Sequence, residues 1–487
     1  MRGARPGGRR DRGIAIIVTA LFLLVVIPML GLSVDASYLY VVKAKLSTAC
    51  DAAALAAARS LSVGLTMAEQ EASAAARARA FFDANFPDGY LGSANRRITV
   101  EVAETGYRTR TVTVSATVDA PTFFMRIMNQ NSTTVSALGK ASRRDVNVML
   151  VLDRSGSLDQ AGACEPLKAA ARGFVDQFAA DRDRLGLITF GGTYRVDFEP
   201  AMDFKTRSGS NMVTMLNALN CTGGTNSAQA LYAAQKRLEA LNEPGALNVI
   251  LFFTDGQPNT LTFDMRVRTA ALGYSAAPSP YYSNSRSACS DTSNKVGWIW
   301  TTAESGSTTV SGIMKRDAPP IPVPENFETQ SSYLVTGSSN CAYASTRSYA
   351  YRDIAWMPPE ALMPDGTKVP ITGYLGPLQT YTPPSGVTCR DSTCYSMQHR
   401  DTLIRAAHNV LDRVAATARS YPTLIYSIGL GNVGPEQDRL LRRVSNDPDS
   451  EIYNPNQPTG LYVYAPDATQ LNSAFSRIAG EILRLAR

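Results

Sequence analysis

The apolar positions of this chain fall into several distinct rhythms, and each predicts a different element. From Ile14 to Leu32 there is no polar rhythm at all, and no charge lies between Arg12 and Asp35. As a helix rising ~1.5 Å per residue, this run spans roughly 28 Å, close to the ~30 Å hydrocarbon core of a bilayer. From Val34 to about Phe86 the sequence predicts a continuing helix, dense in alanine around Asp51-Ala52-Ala53-Ala54-Leu55-Ala56 and free of proline between Val34 and Pro87. Its small side chains suit either a second helix or packing within its own domain. Period-two alternation follows at Ile98, Val100 and Val102, then at Val112, Val114, Ala116 and Val118, with Glu104-Thr105-Gly106-Tyr107 between. That is a β-hairpin signal. A membrane helix, a helical spine and a hairpin make a pilin-like stalk.

A second module begins near Asp145. The nearly continuous apolar run Val146–Leu152 predicts a central parallel strand covered on both faces. Helices and strands then alternate: a helix over 165–180, a strand over 185–190, an edge strand over 194–198, a helix over 227–241 and a strand over 247–254. The pattern resumes with a helix over 401–419, a strand over 423–428, a helix over 435–444, a strand over 461–464 and a helix over 467–485. Such alternation predicts an α/β fold with a doubly wound parallel sheet, Rossmann-like, and ligands at the carboxyl ends of its strands. Between the halves the rhythm is lost. A structureless loop of that length is improbable in a compact domain, so 259–399 is expected to be a disulfide-tied insertion. Trp298, Trp300 and Trp356 all lie in it, expected to form its own core, with partner or sugar binding as the other use. The division is 1–12 basic tail, 13–33 transmembrane helix, 34–142 stalk, 145–258 first part of the α/β domain, 259–399 insertion and 400–487 second part.

Charge and cysteines refine the compartment. Arg2, Arg5, Arg9, Arg10 and Arg12 against Asp11 sum to +4 of the chain's net +6, leaving about +2 for the rest. That is too little for a nucleic-acid surface. The basic end should stay in the cytoplasm and everything after Leu32 should lie across the membrane. The apolar run is long for a signal peptide and ends without an A-x-A site, Gly31-Leu32-Ser33 being a makeshift one, so a retained single-pass anchor is expected over cleavage. Seven cysteines suit an oxidising space. The expected bridges are Cys164–Cys221, Cys289–Cys341 and Cys389–Cys394, with Cys50 free or pairing between chains.

The candidate chemistry gathers on one rim of the expected sheet. Asp153-Arg154-Ser155-Gly156-Ser157 follows the first strand, Thr225 precedes a helix, and Asp255 follows the strand ending at Thr254. The oxygens of Asp153, Ser155, Ser157, Thr225 and Asp255 suit a hard divalent cation, Mg²⁺ first, with Mn²⁺ and Ca²⁺ as the other oxygen-ligand ions. Five protein oxygens leave one of six positions open.

These residues carry two resemblances. The D-x-S-x-S of Asp153, Ser155 and Ser157, the loop Thr225 and the Asp255 of Thr254-Asp255-Gly256 resemble the metal-ion-dependent adhesion site of the von Willebrand factor A family. The resemblance covers about 145–258 and 400–487. The run Arg12-Gly13-Ile14-Ala15 through Gly31-Leu32-Ser33-Val34-Asp35, with Lys45-Leu46-Ser47-Thr48-Ala49-Cys50-Asp51-Ala52-Ala53-Ala54-Leu55-Ala56, resembles the TadE/TadG-like module of Flp (tight adherence) pilus assembly systems, over about residues 10–142. Val18 stands where a prepilin would carry its early glutamate. The resemblances imply a non-enzymatic, bacterial inner-membrane component of pilus assembly whose cation accepts an Asp or Glu of a protein partner. A surface or periplasmic adhesin for host or matrix ligands is the alternative, and an enzyme a distant one. Gly429-Leu430-Gly431-Asn432-Val433-Gly434, with Glu451 beyond, fits a dinucleotide fingerprint formally. Only one strand–helix unit follows it, so no nucleotide is expected. His399 and His408 fit no catalytic triad.

Overall fold

The computed structural model of the chain describes residues 10–106, 109–243, 246–265, 295–301, 310–314, 323, 325, 356–380, 382, 393–396 and 400–486. Cys289, Cys341, Cys389, His399 and the basic residues before Arg10 lie outside that set. The chain divides into two compact units, Met1–Arg144 and Asp145–Ala486.

In the first unit, helix α1 runs over Arg10–Ser60 and α2 over Met67–Asn85, followed by strands β1 (Ala94–Gly106), β2 (Thr109–Pro121) and β3 (Ser132–Arg144). The expected single spine to Phe86 is thus two helices. The break has a local cause. Thr66 caps α2 by accepting from the Glu69 amide at 3.3 Å, and the Glu69 carboxylate accepts from the Thr66 and Leu65 amides. This capping box starts a new helix rather than extending the old one. Buried Arg110 on β2 secures the turn, donating to the Leu61 carbonyl at 3.3 Å and to Gln70 at 3.0 Å.

The hairpin β1–β2 carries a third antiparallel strand, in the order β1-β2-β3. The alternation of β3 is built from Val135, Ala137, Gly139 and Ala141, residues too small to announce a strand. Their size is what lets α1 lie on the sheet. A Cβ on Gly139 would stand 2.5 Å from the Cys50 carbonyl group. Ala49, Cys50, Ala53, Ala57, Ala74, Ala78 and Phe82 meet Val112, Val114 and Val118 in one core. Cys50 is a free, fully buried thiol, pushed up to about 11 chiefly by burial. It has no exposed sulfur for a bridge between chains.

The second unit is a six-stranded sheet. Its strands are β4 (Val146–Asp153), β5 (Arg184–Phe190), β6 (Tyr194–Ala201), β7 (Leu247–Thr254), β15 (Thr423–Leu430) and β16 (Tyr462–Ala465), in the order β16-β15-β7-β4-β5-β6. All neighbours are parallel except the edge pair β5–β6. Helices α3 (Gly156–Gln160), α4 (Cys164–Val175), α5 (Met212–Asn217), α6 (Ser227–Leu241), α7 (Arg400–Ser420), α8 (Pro435–Ser445) and α9 (Leu471–Leu485) complete it. The apolar run of β4 divides by parity. Met149 and Val151 meet α6, α7 and α8, while Val148, Leu150 and Leu152 meet α4 and α9. A strand buried on both faces needs no polar alternation, which is why it reads as continuous.

Only part of the insertion lies within the described residues. Its described parts are β8 (Thr260–Met265), β9 (Lys295–Thr301) and β10 (Val310–Met314) in one antiparallel sheet, and the short pairs β11 (Trp356–Met357) with β14 (Tyr395–Ser396) and β12 (Glu360–Leu362) with β13 (Lys368–Pro370). Among its described residues, Leu261, Phe263, Ile299, Met357, Met363 and Ile371 join the core under α6 and α7. Trp298 is buried; the side chains of Trp300 and Trp356 lie outside the described set.

His408 of α7 is fully buried, and neither ring nitrogen has a partner among the described residues. Burial pushes it down to about 4. A folded-state value below the unfolded one means the unfolded chain takes up the proton first. Stability from this group is therefore complete above about pH 6.5 and drains away toward pH 4, by roughly 3 kcal/mol at most. Comparing thermal melts of the parent and His408→Met between pH 7 and 4 should show that slope in the difference and lose it in the variant.

Candidate metal site

The site lies where the sheet changes direction. After β4 the chain adds β5 on one side, and later β7 on the other. The loops leaving β4 and β7 therefore part at the carboxyl edge, the usual ligand crevice of a wound sheet. Parallel register sets Leu152 beside Phe253, which brings Asp153 and the Thr254-Asp255 step to one rim.

Asp153 is fully buried. Its two oxygens accept from the Ser155 amide at 2.7 Å and the Thr254 hydroxyl at 2.6 Å. The hydroxyls of Ser155 and Ser157 stand 3.0 Å apart, and both donate to the Asp255 carboxylate, at 3.3 and 2.9 Å. Asp153, Ser155, Ser157 and Asp255 are thus one cluster. Ser157 is exposed and Asp255 half-buried, so the cluster opens to solvent on that side.

Thr225 is placed differently. It is buried in the neighbouring loop, and its amide donates to Asn259 at 2.8 Å and to Thr260 at 3.2 Å. Its loop joins the Asp153 turn through the backbone: the Thr222 amide donates to the Arg154 carbonyl at 2.6 Å, and the Gly156 amide to the Gly223 carbonyl at 3.2 Å. Among the described residues, no hydrogen bond links the Thr225 hydroxyl to the other four.

The Cys164–Cys221 bridge, with Cα atoms 6.1 Å apart, fastens the start of α4 to the segment leading into this loop. Closing a span of 57 residues contributes about 4 kcal/mol in the chain-entropy account. Cys394 is also disulfide-bonded, with its other half outside the described residues. The Cys289–Cys341 pair lies outside them altogether.

The electrostatics fit a cation. Burial, and then the Asp255 charge, push Asp153 up to about 7; burial likewise raises Asp255. Among the described residues no lysine or arginine pairs with either carboxylate. The Asp153 and Asp255 carboxylates, with the Ser155 and Ser157 hydroxyls that donate to Asp255, form an all-oxygen donor set suited to a hard divalent ion.

Sequence reasoning missed three supports. Thr254 donates to Asp153, Asn259 holds the Thr225 amide, and Gln437 of α8 donates to the Gly256 carbonyl at 2.8 Å. Thr254 had a signal, standing directly before Asp255 at a strand end; the other two are set by tertiary folding. Gly429–Gly434 links β15 to α8.

This fold and rim define an α/β domain of the von Willebrand factor A class. Residues 148–257 match the family described as von Willebrand factor type A domain, and residues 13–60 match the Flp pilus-assembly TadE/G-like family. The chain therefore joins a TadE/G-like module to a von Willebrand factor A domain. No curated protein matches. Among solved structures, the chain is similar to the pilus adhesin SpaC of Lactobacillus rhamnosus GG, at 13% identity and TM-score 0.37, covering 82% of this chain and 35% of that one. It is also similar to the PilB minor pilin of Streptococcus sanguinis, at 13% identity and TM-score 0.35, covering 81% and 79%. A third is the vWF domain of the type V pili tip protein Mfa5 of Porphyromonas gingivalis, at 13% identity and TM-score 0.35, covering 71% and 98%. The chain thus spans about a third of the SpaC structure.

Proposed function

We propose that this chain is a membrane-anchored, metal-dependent protein-binding component of Flp pilus assembly, non-enzymatic, with its α/β domain outside the cytoplasm. The observation that supports this best is the cluster of Asp153, Ser155, Ser157 and Asp255, in which Asp255 accepts from both serine hydroxyls and Asp153 from the Ser155 amide, with no basic partner for either carboxylate among the described residues. These four and Thr225 would hold Mg²⁺, or Mn²⁺ or Ca²⁺. A bound ion supplies a Lewis-acidic position that an Asp or Glu of a partner can occupy. The chain's part is to keep the carboxylates desolvated, fix the serine hydroxyls and leave the Ser157 side open. The TadE/G-like match and α1 support the anchor. Among the described residues α1 is the one helix long and apolar enough to cross a membrane, and almost none of its apolar window is buried.

Deleting the gene and complementing it tests the proposal. Wild type should restore surface filaments seen by electron microscopy, whereas Asp153→Ala should not. Capture of pilus-assembly proteins by the wild-type chain should also be lost in EDTA. Full restoration of filaments by Asp153→Ala, together with capture that survives EDTA, would sink the metal-dependent reading.

A further inference from the structure

We propose that the loop between β2 and β3 is a second membrane contact, placing Phe123, Phe124, Ile127 and Met128 in the headgroup–acyl boundary beside the outer end of the membrane-spanning part of α1. The proposal rests on α1 spanning the membrane and goes beyond it. The loop carries four apolar side chains that a soluble loop would not show together: Ile127 is 84% exposed and Met128 79%, with Phe123 and Phe124 about half exposed. Turn residues facing water are ordinarily polar.

Its position relative to α1 is fixed at two points. The Phe124 ring lies directly on Gly31, so close that a Cβ there would stand 2.5 Å from it. Gly31 is one residue inside the end of the Ile14–Leu32 apolar run, and the uncharged stretch ends three residues on at Val34. Asp35, the first charge beyond that run, is buried and accepts from the amides of Phe123, Phe124 and Met125 at 2.8, 2.9 and 2.8 Å. The Tyr38 ring packs edge-on against Phe123, with centroids 5.1 Å apart. The loop is therefore pinned at the depth where the apolar face of α1 ends.

The backbone suits a water-poor boundary. Beyond the three amides held by Asp35, Ile127 donates to Phe124, Asn129 to Arg126 and Gln130 to Met125, all at 3.0–3.1 Å. A loop that satisfies its own amides can enter the interface without the cost of bare polar groups. Arg126 supplies a cation among the apolar side chains, a pairing that favours anionic headgroups. The occupant is lipid because the apolar surface is continuous with that of the span itself.

The test uses the full chain in vesicles of phosphatidylethanolamine and phosphatidylglycerol. Spin labels are placed at Ile127→Cys, at Phe22→Cys within the span, and at Glu104→Cys beside the opposite tip of the hairpin. The labelled parent chain supplies the background from native cysteines. Collision with oxygen should exceed collision with a water-soluble nickel chelate at 22 and 127, and the reverse should hold at 104. Asp35→Asn should move the signal at 127 toward that at 104 and leave 22 unchanged. A label at 127 that meets nickel freely while 22 does not overturns the loop contact and leaves the span standing. Shielding of 127 from both reagents points to a protein cover and also overturns it. Nickel access at 22 removes the span reading itself.

Discussion

Asp153→Asn should make the ion-free chain more stable at pH 7.5 while removing its stabilisation by Mg²⁺. The carboxyl of Asp153 is driven up to about 7 by burial and by Asp255. A folded-state value above the unfolded one means the fold disfavours the charged form. The penalty is absent below the ordinary carboxylate range and grows as pH rises toward 7. The amide can still accept from the Ser155 amide, and the Thr254 hydroxyl has the Gly256 carbonyl as a second acceptor at 3.1 Å. Thermal melts with and without Mg²⁺ check this. The parent's Mg²⁺-induced shift should shrink below pH 7, with affinity falling about tenfold per pH unit for the one proton that must leave. The variant should show no shift. His408 slopes the opposite way in the same window, so the quantity to follow is the variant minus the parent. An equal Mg²⁺ shift in both chains would remove Asp153 from the ligand set.

Gly139→Val should selectively melt the amino-terminal unit. The added carbons would meet the Cys50–Asp51 peptide, which is helix backbone and cannot swing aside. Either α1 lifts from β3, exposing Ala53, Ala57 and the valines beneath, or β3 peels from β2. Overpacking against backbone costs about 3 kcal/mol. Limited proteolysis should cut within 61–144 of the variant at temperatures where the parent resists, while the Asp145–Ala486 unit stays intact. Gly139→Ala should lie between the two.

What the sequence could announce follows the range of the forces involved. The strands β4, β7 and β15 were legible because a strand buried on both faces is predominantly apolar. The D-x-S-x-S turn was legible because its residues are adjacent, and the structure finds Asp153, Ser155 and Ser157 within one turn. Asp255 required knowing that β7 lies beside β4, which the wound-sheet rule supplies. The break at Leu61–Thr66 was written in the Thr66–Glu69 capping pair, but a dense alanine run on one side and the absence of proline masked it. Strand β3 stayed hidden because contact with a helix selected small residues there, erasing the alternation that marks a strand. Within the insertion, Leu261, Phe263 and Ile299 complete the face of α6 and α7; no local pattern records which core such residues will join. The support that Asn259 gives Thr225 is of the same kind.

The bridge between Cys164 and Cys221 governs what can be drawn out of this chain under tension. Pulled from its ends, the protein would withhold the segment between those cysteines, roughly 190 Å of contour at ~3.4 Å per residue over a separation of 57. Asp153 would then remain within a tether of 11 residues before the bridge (164 − 153) and 4 after it (225 − 221) from Thr225. Even with the sheet unravelled, the Asp153 turn and the Thr225 loop would stay leashed together, while Asp255, 30 residues further along (255 − 225), would be free to be drawn away.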